Sequence, residues 1–207
     1  MTPYLIIIIL SLSLVALSKQ YDIAKPFHNI FIFISALILI LFSGLRDSSV
    51  GTDTNSYVYS YLWIEHNFSN FFNGNLTSLE IGYQLLETIA HQFSSEYYSL
   101  LLLISGITIY FQFKGIYMLS KSPIISIFIL IALGFYTFSF NAARQGIALS
   151  IFIYSIQFIV NNKLKHFISF IILGFFFHKS IIVALPLYFL FRLKFNIKLI
   201  TILFFST

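Results

Sequence analysis

The sequence predicts an all-α fold: a polytopic integral membrane protein of about seven or eight hydrophobic segments, forming one transmembrane domain over residues 1–207. Three observations predict it. The chain is 58% hydrophobic and only 9% charged, with a mean hydropathy of +0.90, which leaves too little polar surface to cover a soluble domain of this length. Apolar runs recur at the length a bilayer demands, roughly 20 helical residues for a hydrocarbon core about 30 Å thick. The charged residues are confined to the connections between those runs and are sorted between two sides.

Thr2 to Ser18 and Phe27 to Leu45 are the first two segments. The first has no basic leader, and Lys19-Gln20-Tyr21 follows it in place of a small-residue cleavage site, so it reads as a retained helix. Tyr97 to Phe113 and Ile124 to Phe140 are of spanning length. Gly146 to Val160 is slightly short and becomes a full span if its start reaches back toward Ala142. Phe167 to Phe177 and Ser180 to Phe191 are each too short to cross alone and read together as a hairpin with His178-Lys179 near its tip. A further apolar run starts at Leu199 and the sequence stops within it at Thr207; nine helical residues rise only about 14 Å, so this segment reads as incomplete.

The connections set the orientation. Lys19, Lys25, Lys114, Lys121, Lys163, Lys165, Arg192, Lys194 and Lys198 fall on one side with the single acid Asp22; Arg46, Arg144 and Lys179 fall on the other with Asp47, Asp53, Glu65, Glu80, Glu87 and Glu96. This positive-inside bias places the N-terminus outside. The net charge of +5 is spread thinly over the cytoplasmic turns, where it sets orientation, and nucleic acid is not an expected partner. With no cysteine there is no disulfide framework, thiol catalysis or zinc-thiolate site. The sequence contains no Walker A motif, no His-Glu-x-x-His and no Gly-x-Ser-x-Gly. Its histidines, His28, His66, His91, His166 and His178, lack a paired-ligand spacing, so no metal and no cofactor are expected.

One outer connection is unlike the rest. Arg46 to Glu96 is 51 residues long and holds the only tryptophan, Trp63, and two Asn-x-Ser/Thr sequences at Asn67 and Asn75. Loops beyond about 12 to 15 residues usually carry function or structure of their own. Thr52, Asp53 or Thr54 caps a first short helix running through Tyr57, Tyr61 and Glu65. In a second, Tyr83, Leu86, Ala90 and Phe93 share one face and Glu80, Gln84, Glu87 and His91 the other, the pattern of a helix lying flat at the interface.

Gly44-Leu45-Arg46, Val50-Gly51-Thr52-Asp53 with Tyr57, Glu80-Ile81-Gly82-Tyr83, Arg144-Gln145-Gly146 and Phe177-His178-Lys179-Ser180 leading to Pro186-Leu187-Tyr188 carry a resemblance. In their order, spacing and shared side, the set resembles the EpsG-type, Wzy-like polysaccharide polymerases over about Leu39 to Leu190. The resemblance implies a glycosyltransferase of the bacterial inner membrane that joins repeat units of a capsule, exopolysaccharide or O-antigen on the outer face. The implied partners are an undecaprenyl-diphosphate-linked oligosaccharide and the lipid bilayer; whether a chain-length regulator joins them stays open. Family members continue through further membrane segments, so this chain reads as a truncated or frameshifted polymerase lacking part of its groove.

Glycosyl transfer with a diphosphate leaving group needs fixed cations where charge develops. Arg presents a planar fork to phosphate oxygens and keeps its proton. Arg144, directly after the fourth segment, is the first candidate; Arg46 holds the equivalent place after the second, and Lys179 adds a contact from the hairpin tip. The competing reading is that each snorkels to lipid phosphates as an anchor, although anchors have no need to share the outer face. His178 is a candidate general base or a structural histidine, since histidine titrates near neutrality. Asp53 and Glu80 are alternative bases or partners of the arginines, or else a helix cap and an exposed first-turn acid. The resemblance adds Gln145 to the substrate contacts. Tyr57, Tyr59, Tyr61, Trp63 and Tyr83 either stack on sugar rings or form an interfacial aromatic belt. Two other functions use the same cations: a transporter or flippase for the lipid-linked sugar, and a glycan ligase.

Overall fold

A computed structural model of the chain describes residues 2–20, 25–63 and 79–192. Its elements are α1 (Thr2–Gln20), α2 (Lys25–Gly44), α3 (Thr54–Trp63), α4 (Ile81–Phe93), α5 (Tyr98–Leu119), α6 (Pro123–Ala132), α7 (Phe135–Asn141), α8 (Ala143–Val160), α9 (Leu164–Phe175), a 3-10 helix (Lys179–Ala184) and α10 (Leu187–Leu190). The architecture is all-helical, with no strand among the described residues. The sequons at Asn67 and Asn75, Glu65, and the apolar run from Leu199 lie outside the described residues.

Among the described residues two helices are long and apolar enough to cross a bilayer, α5 with 22 residues and α8 with 18, and α6 with α7 makes a third if the bent pair counts as one span. They are packed in the order of the chain: α1 on α2, α2 on α5, α5 on α8, α8 on α9, and the 3-10 segment back on α9. Polar atoms tie the helices where water is absent, a role that small hydroxyl residues fill between apolar helices. Ser11 and Ser35 hydroxyls meet at 2.8 Å between α1 and α2, Ser105 donates to the Ile40 carbonyl at 3.2 Å, and Tyr136 donates to the Leu39 carbonyl at 2.7 Å.

The structure revises three expectations. Ile124 to Phe140 is not one helix: α6 and α7 meet at 41°, because Gly134 takes a left-handed φ of 79° that ends the α6 hydrogen-bond ladder. The second arm of the hairpin is a 3-10 helix followed by a single α-turn. Pro186 lacks an N–H and cannot continue an α-helix through the Ile182 carbonyl, which is taken instead by Leu185 at 3.0 Å. Finally, α4 is not a two-faced interfacial helix. Glu87 (1% exposed) and Gln84 (8%) are buried along with Tyr83, Leu86 and Ala90, whereas Phe93 is 78% exposed. Helix α3 covers the side of α4 that its charges suggested for water, and Ser60 donates to Glu87 Oε1 at 3.0 Å.

The loop helices thereby become part of the core. Tyr57 and Tyr61 of α3 and Tyr83, Leu86 and Ala90 of α4 pack with Leu100, Leu101 and Ile104 of α5 and Ala143, Ile147 and Ile151 of α8. They sit over the ends of the two central helices and place their polar groups there.

Candidate functional site

Arg144 is the second residue of α8, Glu80 immediately precedes α4, and His178 lies in extended backbone between α9 and the 3-10 helix. The fold brings these three together. Glu80 accepts from Arg144 Nη1 through Oε2, and its other oxygen meets His178 Nδ1 at 3.1 Å.

Local features hold the geometry. The Gly82 N–H donates to the Phe176 carbonyl at 2.8 Å, fixing the start of α4 to the loop that carries His178. Any side chain at Gly82 would place a Cβ 2.7 Å from that carbonyl oxygen, so the close approach requires glycine. The Tyr57 hydroxyl accepts from the Ala143 N–H at 3.1 Å, satisfying a free donor at the first turn of α8 next to Arg144. Its ring lies 5.8 Å from that of Tyr83.

Glu80 is a carboxylate here. Burial pushes its pKa up, but hydrogen bonds from its own backbone N–H, Arg144 and His178 outweigh that and hold it below the ordinary 4.5. An ionised carboxylate only accepts, so His178 Nδ1 is the donor in this pair. The Arg144 side chain is 31% exposed against 11% for Glu80; Nη1 bonds Glu80, and the guanidinium also stands within hydrogen-bonding reach of the Tyr57 hydroxyl. A guanidinium and an imidazole are thus mounted on one half-buried carboxylate.

A second carboxylate lies behind the first. Burial raises Glu87 to about 7, partly offset by the Ser60 hydrogen bond and by Arg144. The Tyr83 hydroxyl is buried with no hydrogen-bond partner among the described residues. Burial likewise raises Tyr57, whose Ala143 bond pulls the other way.

The remaining sequence candidates separate from this centre. Among the described residues, the exposed Lys179 and Asp53 form no ion pair, and Gln145, half-buried beside Arg144, makes no side-chain hydrogen bond. Asp53 caps α3 only through its backbone carbonyl, which accepts from Tyr57 N at 3.2 Å. Arg46 is not the counterpart of Arg144. It is 6% exposed, donates to the Ser43 carbonyl at 2.7 Å, reaches Thr54 Oγ1 and stacks 4.5 Å above the Phe140 ring. Ser60 and Glu87 were not legible as site neighbours, because no spacing in the sequence links them. Among the described residues, no three His, Asp or Glu side chains are grouped to hold a metal ion.

No curated protein and no solved structure matches the chain. The sequence model of the EpsG family matches residues 29–207, most of the chain and every residue of the Arg144–Glu80–His178 cluster. The protein therefore belongs to the EpsG family.

Proposed function

We propose that the protein polymerises undecaprenyl-diphosphate-linked oligosaccharide repeats on the outer face of the bacterial inner membrane. In this reading about seven or eight hydrophobic segments lie in the membrane with the N-terminus outside, and the transferase centre is Arg144, Glu80 and His178. Membership of the EpsG family supports a role in polysaccharide biosynthesis at a membrane. The single observation that carries the reading is the Glu80 carboxylate, which holds a guanidinium and an imidazole brought from segments 64 and 98 residues away.

The chemistry follows from that arrangement. His178 Nε2 takes the proton of the acceptor hydroxyl as its oxygen bonds to the anomeric carbon of the donor glycan. The bond from that carbon to the lipid diphosphate breaks, and the electron pair leaves with the diphosphate. Arg144 meets the charge that gathers there, a stabilisation that grows in the transition state. Tyr57 and Tyr83 fix the floor of the centre, while Gln145, Lys179 and Asp53 supply polar groups at its rim for the sugars.

The test is complementation of a polymerase-deletion strain. Wild-type protein should restore a polymer ladder. An inserted Arg144→Ala protein should leave single repeats on the cell surface, and Arg144→Lys should give reduced ladders, since it keeps the charge but loses the fork. Normal ladders from Arg144→Ala would reject the assignment, and repeats retained inside the cell would identify a flippase instead.

A further inference from the structure

Helix α4 is turned inside out. Its exposed residues are Ile81, Leu85, Ile89, Gln92 and Phe93, and the four large apolar ones recur at every fourth position, so they form one stripe along the helix. Its other polar residues point the opposite way. Gln84, Glu87 and Thr88 are buried, and each is bonded there: Gln84 Nε2 donates to the Leu79 carbonyl, the Thr88 hydroxyl donates to the Gln84 carbonyl at 2.8 Å, and Glu87 accepts from Ser60. A helix whose outer side meets water carries the reverse pattern. Polar groups satisfied against protein, with apolar side chains outward, is the arrangement that hydrocarbon surroundings require.

The packing of α4 agrees with its pattern. Its buried face shares one core with Leu100, Leu101 and Ile104 of α5 and with Ala143, Ile147 and Ile151 of α8, the two described helices long and apolar enough to cross a bilayer. At 1.5 Å per residue, Ile104 and Ile151 lie about 9 and 12 Å from the starts of those helices. The core that α4 joins therefore reaches well down both spans. The stripe also runs into other apolar surface. At its start the Gly82 N–H bonds the Phe176 carbonyl at 2.8 Å, and Phe175 and Phe176 are exposed, as are Ile182 and Val183 beyond them. At its far end Phe93 leads to Tyr97 and Tyr98, whose rings lie 4.1 Å apart at the start of α5, where aromatic residues mark a membrane–water boundary.

We propose that α4 is embedded in one leaflet of the bilayer, lying against the spanning helices with Ile81, Leu85, Ile89 and Phe93 in contact with lipid acyl chains. A second copy of the chain seated on α4 would meet a strip one side chain wide and about 20 Å long, on the order of 400 Å² against the roughly 800 Å² per partner of a stable interface. Lipid needs no such area, and it already covers the apolar surfaces into which the stripe runs. Glu80 directly precedes the stripe, so the Arg144–Glu80–His178 centre lies at the membrane surface and not on a loop held out in water. The proposal uses the membrane setting of the reading above and none of its chemistry.

The test uses the full chain reconstituted in vesicles of phosphatidylethanolamine and phosphatidylglycerol. The chain lacks cysteine, so each single introduced cysteine carries one nitroxide label, whose collisions with oxygen, concentrated in hydrocarbon, are compared with its collisions with water-soluble nickel-EDDA. Leu85→Cys and Ile89→Cys should favour oxygen by about threefold or more, since a polar complex is excluded from hydrocarbon. Leu149→Cys, exposed in the middle of α8, should do the same, and Asn55→Cys, exposed on α3, should favour nickel-EDDA. All four positions are exposed, so no label displaces a buried side chain. Nickel-EDDA favoured at Leu85 and Ile89 overturns the proposal, and with oxygen still favoured at Leu149 the membrane setting stands. Low collision with both reagents overturns it too: spin–spin broadening then identifies a second copy on the stripe, and its absence a cover supplied by the chain itself. No glycan transfer enters the measurement, so failure of the polymerase reading shows separately, in the Arg144→Ala ladders.

Discussion

Replacing Glu80 by Gln removes one charge and changes almost nothing in shape, which makes it the sharpest test of the centre. The carboxylate accepts from two partners, Arg144 and His178, and net hydrogen bonds to charged groups are worth about 1.5–3 kcal/mol. An amide oxygen still accepts one of them, and the Arg144 side chain is 31% exposed, so solvent screens part of the loss. The folded state should lose about 1–3 kcal/mol in all. Activity should fall much further, by about 10²–10⁴, since the substitution disorders both the base and the cation that faces the leaving group. The assay is polymer synthesis in membranes from a polymerase-deletion strain, with thermal unfolding of the purified protein alongside. The pH dependence has a definite sign. Glu80 is held below its ordinary 4.5, so its stabilisation is present above that value and is lost as pH falls through the lower, folded-state pKa. The gap in Tm between wild type and Glu80→Gln should therefore be full at pH 7 and close below pH 4.5. Wild-type polymer yield from well-inserted Glu80→Gln protein would refute the argument.

Three other outcomes follow from the same geometry. Gly82→Ala would put a Cβ 2.7 Å from the Phe176 carbonyl oxygen; it should cost about 1–3 kcal/mol in thermal unfolding and abolish the ladder, with wild-type stability counting against it. Glu87 is raised from 4.5 to about 7 by burial, so its protonated form contributes stability that is complete below 4.5 and lost as pH rises through 7, about 3 kcal/mol at most. Glu87→Gln should abolish that decline, and parallel Tm curves for the two proteins between pH 4.5 and 8 would show that Glu87 ionises freely. Because the chain lacks cysteine, Asn55→Cys and Asn162→Cys, both at exposed positions, map the orientation: a membrane-impermeant thiol reagent on spheroplasts should label the first and spare the second, and the reverse would invert the proposed face.

Hydropathy made the long helices α5 and α8 legible, because burial in a bilayer and burial in the bundle select the same residue types. It missed the break at Leu133-Gly134, where every neighbour is apolar and only a backbone angle marks the turn. It also misread α4, since a charged residue on a short helix is normally solvated and nothing local announces that α3 folds over Glu87. The site was legible as a set of motifs and not as a geometry. Glu80, Arg144 and His178 each stood out, yet the ring and the guanidinium are joined to the carboxylate across 98 and 64 residues, a pairing that one sequence does not encode in any spacing. Arg46 shows the opposite error. Its place after α2 made it look equivalent to Arg144, but Thr54 and Phe140 enclose it and, among the described residues, no acid pairs with it.

That difference assigns the two arginines different work. In the proposed centre the Arg144 guanidinium and the Glu80 carboxylate offset each other, so the pair itself carries no net charge. It does not hold a diphosphate by net charge. In the proposed reaction the centre gains one positive charge when His178 takes the acceptor proton, at the step in which the leaving diphosphate gains a negative one. Stabilisation confined to that moment raises turnover, whereas attraction present throughout only tightens binding. Arg46 stands apart from that exchange: its guanidinium is buried, and among the described residues no carboxylate pairs with it.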